Sequence, residues 1–304
     1  MDTFNTVVLT PLVSIVIPVY NGSDFLRDAI ESALCQTYNN IEVLVVNDGS
    51  NDKNKTEAIC KSFGKKIRYF YKKNGGVATA LNIGINESKG KYFSWLSHDD
   101  FYKPNKIKNQ IEFIQKNPNI KIVSSDFATL NQESKKIQNR QITEKKTFTN
   151  GRDVLENWLD FCTFLINKEC FREVGLFDTN LKTIQDLDMQ FRLVSKFPIF
   201  HINEVFSVRR EHLAQGTKTQ IKFHLKELDH YIIDVFIRKG VNFLKKDNES
   251  IFSTYFNLGV RTMKMSCKKA CKYFYFNALI KKPLSPRLLF IVLFGKKAFN
   301  VFYK

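Results

Sequence analysis

Short apolar runs and amphipathic stretches alternate along the first part of the chain, and their periods differ. Val13-Ser14-Ile15-Val16-Ile17 is β-branched, reads as a strand and stops at Pro18. Asn21-Gly22-Ser23 reads as a turn and N-cap for a helix through about Gln36. A second strand, Ile41 to Val46, ends at Asn47-Asp48-Gly49-Ser50, and a helix from about Asp52 to Phe63 follows. Ile67 to Tyr71 is a third strand, Asn74-Gly75-Gly76 opens a helical stretch to about Glu87, and Tyr92 to Leu96 is a fourth strand. That fourth strand delivers Ser97-His98-Asp99-Asp100. Residues 104–126 add a helix and the strand Lys121-Ile122-Val123-Ser124-Ser125, and the polar stretch 127–150 reads as an exposed loop or hairpin. From about Thr217 the pattern is helical, amphipathic and basic, and no internal repeat is visible.

Strands separated by helix-length segments predict βαβ units, an α/β fold and a mostly parallel sheet. Ligands of such sheets bind beyond the carboxyl ends of the strands. Three polar turns sit there: Pro18-Val19-Tyr20-Asn21, Asn47-Asp48-Gly49-Ser50 and Ser97-His98-Asp99-Asp100. They are expected to converge on one crevice. It has neither a G-x-G-x-x-G turn nor a Walker lysine loop to cradle phosphates. Tyr20 is an aromatic able to stack on a base, and Asp48 an acceptor for a base edge or ribose. Adjacent carboxylates at Asp99 and Asp100 fit a divalent cation, Mg²⁺ or Mn²⁺, that neutralises a diphosphate.

Composition narrows the picture. An apolar share of 43% with 25% charged residues belongs to a folded protein. The formal charge is +17, and residues 216–304 carry +13 of it, with 18 basic against 5 acidic side chains. Two regions follow: a catalytic region over 1–215 and a basic, mostly helical region over 216–304. The basic region attracts nucleic acid, an anionic membrane face or an acidic saccharide. No nucleic-acid motif accompanies the charge, whereas aromatics beside Lys and Arg, as in Lys268 to Lys282 and Arg287 to Lys297, suit a helix lying in an anionic interface. Six scattered cysteines without zinc-type spacing indicate a reducing compartment, and Cys267 and Cys271, four apart, suit packing on one helix face. Met1 to Pro11 does not read as a signal peptide, and no run approaches the ~18 apolar residues of a spanning helix. A cytoplasmic protein, peripheral on the cytoplasmic face of the inner membrane, is the expectation.

The blocks around these turns resemble the family 2 glycosyltransferases. The resemblance runs through Val13 to Gly22, Ser32-Ala33-Leu34-Cys35-Gln36-Thr37-Tyr38, Val45 to Ser50, Asn74 to Ile85 and Lys89-Gly90-Lys91-Tyr92, in order and in register. It covers about residues 12–213 and implies the Rossmann-like GT-A fold with a nucleotide-sugar donor, UDP-linked by family frequency. Pro18, Val19, Tyr20, Asn21, Asp48 and Asn74 are the implied nucleotide contacts. The family's D-x-D motif follows the fourth strand, its first acid on the ribose and its last on the metal. This chain has Ser97 at the first position and Asp99 at the last. The resemblance therefore implies Asp99 as metal ligand and Asp100 as a supporting acid, with Ser97 and His98 lining the nucleotide.

A downstream block, Phe171 to Asp178 and then Gln185-Asp186-Leu187-Asp188-Met189-Gln190-Phe191-Arg192-Leu193, is similar to the family's acceptor segment. By position Asp186 is the general base, Asp188 is structural or on the acceptor side, and Gln185 replaces a Glu. Trp158 is a further candidate for an acceptor wall. In Arg209-Arg210-Glu211-His212, the histidine corresponds to a metal ligand and an arginine to a diphosphate contact. The implied reaction is a single inverting displacement onto a hydroxyl of a glycan or lipid-linked oligosaccharide. Other readings remain open at this point: a processive polysaccharide synthase, disfavoured because Q-x-x-R-W and spanning helices are missing; a nucleotidyltransferase, which leaves Asp186 without a role; and a degenerate nucleotide-binding scaffold, which Ser97 and Gln185 keep alive.

Overall fold

The alternating runs fold as βαβ units. In the computed structural model, which describes residues 10–141, 145–213, 215, 219–246 and 248–283, the strands β1 (Val13–Val19), β2 (Ile41–Asn47), β3 (Arg68–Tyr71) and β4 (Tyr92–Trp95) lie parallel in the order β3-β2-β1-β4. Helices α1 (Leu26–Leu34), α2 (Lys55–Ser62) and α3 (Val77–Glu87) connect them. Every residue of β1 is buried. Ile15 and Ile17 pack with Ala29, Ile30 and Ala33 of α1, while Val16 lies against Gly84 of α3. A strand covered on both faces reads as a continuous apolar run, which is why it was legible.

Two local expectations change. Pro18 does not end β1; it lies inside the strand, opposite Val46. Leu96 N–H donates to Val16 O on the β4 side and Asp48 N–H to Val19 O on the β2 side. By alternation the missing N–H of Pro18 falls on the β4 side, beyond Trp95, where pairing has stopped, so no ladder bond is lost. Ser23 does not cap α1 either. That helix enters through Phe25 without a side-chain cap, and Gly22 O accepts the amides of Phe25 and Leu26 at 3.2 and 3.0 Å.

Beyond β4 the sheet becomes mixed. Strand β5 (Phe101–Tyr102) is followed by α4 (Lys106–Lys116), β6 (Ile122–Asn131), β7 (Ile137–Arg140) and β8 (Thr147–Phe148). Helix α5 (Gly151–Asn157), a 3-10 turn at Phe161–Thr163, β9 (Leu165–Asn167), α6 (Cys170–Val174), α7 (Gln185–Val194) and β10 (Ile199–Glu211) complete the order. The three-residue β9 runs antiparallel between β4 and β6, and β6 and β10 are again parallel. Strands β6 and β7 make the exposed hairpin expected for the polar stretch. Register shifts in β10 between Ile202 and Ser207 bend the strand ahead of Arg209.

The chain divides into two compact units, Met1–Thr149 with Trp158–His212, and Asn150–Asn157 with Leu213–Lys304. The segment 150–157, which a single cut at residue 215 leaves with the first region, belongs to the second unit. That unit contains α5, α8 (Ile221–Lys239), α9 (Ile251–Lys264) and α10 (Lys268–Lys281). Phe236 of α8 meets Tyr255 and Phe274 with ring centroids 5.3 and 5.1 Å apart. Asp229 of α8 caps α10 by accepting the amides of Lys269 and Ala270 at 2.9 and 2.6 Å. Cys267 and Cys271 are buried, reduced and packed in this unit. Among the described residues no helix is long and apolar enough to cross a membrane.

Candidate active site

The three strand-end turns meet, held together mainly by their own polar groups. Asn21, in the left-handed region (φ 51°), exchanges two side-chain bonds with Asn51, and its amide donates to Ser50 Oγ at 2.9 Å. Asp48 is 3% exposed and accepts from Lys72 Nζ at 2.5 Å and from the amides of Gly75 and Gly76 at 3.0 and 2.8 Å. Both carboxylate oxygens therefore already hold protein donors, and a base or ribose must share one. Gly49 has φ +73°, and a Cβ there would stand 2.5 Å from the Asn74 amide nitrogen. Only glycine lets the second turn approach the Lys72 to Gly76 loop so closely. Tyr20 is 44% exposed, which leaves its ring free to stack.

The acidic turn closes on itself through Asp100 N–H to Ser97 O. His98 lies under the first turn: a Cβ on Gly22 would be 2.3 Å from its ring, so this glycine makes room for it. Burial lowers the imidazole pKa against the charge of Asp99. Asp99 Oδ2 faces His212 Nε2 at 3.2 Å, and the His212 ring leans on Phe25. Asp100 is different. It is buried, and its Oδ1 accepts the Arg210 amide at 2.9 Å. Desolvation, then the charges of Asp99 and Asp160, push its carboxyl well above the usual carboxylate range.

The two arginines part company at the end of β10. Arg210 pairs with Asp28 at 2.5 Å and lies over the rings of Phe25 and Phe101. Its guanidinium holds α1 against β5 and β10. Arg209 makes no ion pair among the described residues. Burial opposes its charge, but the fields of Asp160, Asp100 and Asp99 raise its pKa above the ordinary guanidinium value. Its charge therefore faces the acids of the crevice.

Asp186 stands in the first turn of α7, where the amides favour an anion. Its Oδ1 accepts the Leu187 amide at 2.9 Å. Burial nevertheless raises its pKa to about 6, with Asp160 adding to the rise and Arg209 opposing it. Gln185 beside it is 6% exposed, and its Oε1 has no hydrogen-bond partner among the described residues. Asp188 points elsewhere. It pairs with Arg192, whose guanidinium also donates to Val174 O and so ties α7 to α6. This buried structural pair accounts for Asp188 without an acceptor. Trp158 is 38% exposed at a left-handed position (φ 49°) on the approach to Asp160.

Sequence reading missed Asp160 and Lys72. Asp160 caps the 3-10 turn by accepting the Cys162 amide at 2.8 Å, and Cys162 Sγ meets Ser97 Oγ at 3.3 Å. The turn is thereby fastened to the acidic turn, and the charge of Asp160 is felt by Asp100, Asp186 and Arg209. In sequence, Asp160-Phe161-Cys162-Thr163 is an ordinary capping pattern with no catalytic signal.

Among the described residues, two groups in the crevice stand close enough together to share a cation. Asp99 and His212 present one carboxylate oxygen and one imidazole nitrogen at close range, a donor pair that suits Mn²⁺. Among the described residues no group of three or more His, Cys, Asp or Glu side chains forms a metal cage. Such a pair fits an ion whose coordination is completed by diphosphate oxygens and water.

An α/β sheet with a strand-end crevice holding acids on both sides is the architecture on which ligands bind beyond the carboxyl ends of the strands. Residues 14–175 match the family described as glycosyl transferase family 2, and the chain belongs to that family. It is 44% identical over 227 residues to an uncharacterized glycosyltransferase of Rickettsia typhi, covering 73% of this chain and 70% of the relative. Similarity to the hyaluronan synthase of Pasteurella multocida is 27% over 254 residues, 78% of this chain but 24% of that protein. The crystal structure of Staphylococcus aureus TarS residues 1–349 with UDP-GlcNAc superposes with a TM-score of 0.63 at 14% identity, over 91% of this chain and 86% of that one. The α/β architecture of the GT-A glycosyltransferases is thereby established for this chain, and the protein is a glycosyltransferase.

Proposed function

We propose that the protein moves one sugar from a UDP-type nucleotide sugar to a hydroxyl of a glycan or lipid-linked acceptor, with inversion at the anomeric carbon. The observation that carries this reading is the pairing of an Asp99–His212 donor set with a desolvated Asp186 at a helix N-terminus, joined by the fields of Asp160 and Arg209. The UDP-GlcNAc and UDP complexes of TarS support a uridine donor. Tyr20 offers the base a stacking face, and Asp48 holds the Gly75–Gly76 loop beside it. Asp186 accepts the acceptor hydroxyl proton; the freed oxygen attacks the anomeric carbon; the bond to the diphosphate breaks and its electron pair leaves with the nucleotide. Arg209, without an ion pair among the described residues, is the cation that faces the departing charge. A divalent ion, when held by Asp99 and His212, supplies further neutralisation of the diphosphate. The proton on Asp186 then returns to water.

The basic second unit gives this enzyme a place to work. The exposed side of α10 carries Lys268, Lys269 and Lys272 together with Phe276 (60% exposed) and Ile280 (57% exposed), and Lys281 and Lys282 close it. That combination supports docking on an anionic membrane surface, which suits a lipid-linked acceptor. The apolar run Leu288 to Phe294 lies outside the described residues.

The deciding assay is hydrolysis of a panel of sugar nucleotides with Mn²⁺ by wild type and by Asp99→Ala. Turnover of a UDP-sugar that drops about 100-fold in the variant is expected. Equal activity in both proteins removes Asp99 from the metal site, and no activity with any donor favours the scaffold reading. Co-sedimentation with phosphatidylglycerol vesicles that is lost in high salt is expected for the membrane face, and binding indifferent to lipid charge overturns it.

A further inference from the structure

Lys106 opens α4 and is fully buried, yet among the described residues it has no carboxylate partner. Its Nζ donates to Gln110 Oε1 at 2.9 Å, Ser94 Oγ at 3.0 Å and Phe164 O at 3.3 Å, and lies 4.3 Å from the centroid of the Tyr102 ring. Three acceptors for three ammonium hydrogens is a complete set. Burial drives the amine down to about 7, so a polar group whose charge is disfavoured stands where an apolar side chain of similar length would also fill space. Packing does not explain the choice.

What the cluster connects does explain it. Ser94 is on β4, three residues before Ser97. Phe164 directly follows the 3-10 turn capped by Asp160. Gln110 Nε2 donates to Thr163 O of that turn at 2.7 Å, Ser94 Oγ donates to Phe164 O at 2.8 Å, and Tyr102 OH donates to Trp95 O at 2.6 Å. Apart from the Lys106–Gln110 bond inside α4, these bonds run between the strand that ends in the acidic turn and the turn that carries Asp160, or from α4 and β5 onto one of them. The Ser97–Cys162 contact and the packing of Trp95 on Phe161, ring centroids 5.6 Å apart, also join these segments.

We propose that Lys106 is a positioning residue that holds the Ser97–Asp100 turn and the Asp160 turn at one separation, so that Asp99 and Asp160 face the bound donor from fixed places. The catalytic consequence rests on the transferase reading above; the tie itself does not. Amide exchange followed by mass spectrometry tests the tie in Lys106→Met and, as a milder break of the same cluster, Ser94→Ala. Exchange is expected to rise together in segments 96–100 and 160–164, by about tenfold or more in Lys106→Met, while strand β2 keeps its wild-type protection. Wild-type protection of either segment in both variants overturns the proposal; if Lys106→Met does not fold, Ser94→Ala decides it alone.

A double-mutant cycle then separates positioning from mere stability. Asp160→Asn is expected to lower kcat about tenfold in the wild-type background but less than about twofold in the Lys106→Met or Ser94→Ala background, because the carboxylate is no longer held in place. Losses that simply multiply overturn the positioning role. A wild type that turns over no sugar nucleotide refutes the transferase reading, and the exchange result still decides the tie.

Discussion

The two sides of the crevice are built on opposite principles. On the side made by β1, β2 and the loop after β3, polar groups satisfy one another: Asp48 holds Lys72 and two glycine amides, and Asn21 and Asn51 exchange bonds. On the side made by the Asp160 turn, α7 and the end of β10, polar groups are left wanting. Desolvation raises the pKa of Asp186, and among the described residues Gln185 Oε1 has no partner and Arg209 is charged without an ion pair. A satisfied wall costs nothing to keep rigid and suits recognition of a donor. An unsatisfied wall is held in readiness for charge that appears during reaction.

Substitutions that break this contrast rank by how directly they touch the proton. Asp186→Asn keeps shape but cannot accept a proton, and a loss of about 10³-fold in kcat with little change in donor KM is expected from steady-state kinetics. Arg209→Ala removes the free cation, and transfer should slow by about 100-fold while Arg210→Ala instead lowers the melting temperature. On the satisfied side, Asp48→Asn frees Lys72 and loosens the Gly75–Gly76 loop. Its expected signature is a rise in donor KM of about tenfold with kcat nearly kept, the reverse of Asp186→Asn.

Acidity gives a finer test. Because the folded pKa of Asp186 lies near 6, the base is ionised above that value and protonated below it. The rate should therefore be flat at neutral pH and fall about tenfold per unit as pH drops below about 6. Gln185→Glu places a negative charge beside the base and should move this acid limb upward by up to about one unit. An unchanged limb in that variant means the two side chains do not share a field, and the contrast between the walls is then narrower than drawn.

Legibility followed the same division. The parallel strands β1, β2, β3 and β4 were readable because strands buried on both faces are apolar throughout, and the turns beyond them were readable because glycine and Asn/Asp pairs punctuate them. Asp99 and Asp186 are legible because each stands in a contiguous block that resembles the family. The short β9 had no period to read, and its antiparallel course makes the sheet mixed. Asp160 was invisible because one capping aspartate resembles another until its neighbours in space are known. The pair Arg209 and Arg210 could not be told apart in sequence either; alternation along β10 sends one to Asp28 and the other toward the acids.

The order of the first four strands and the helices between them, the strand-end location of the crevice, the basic character of the last third and the family were all determined by the sequence alone. They depend on local periodicity, composition and contiguous motifs, which need no knowledge of what packs where. Tertiary structure decided which side chains are used up and which are left free. Asp188 and Arg210 are engaged in structural pairs and Asp100 is half engaged by a backbone amide, whereas Asp160 enters the site across a gap of sixty residues from Asp100. Hydrogen-bond satisfaction and desolvation are properties of surroundings, and the surroundings exist only once the chain has folded.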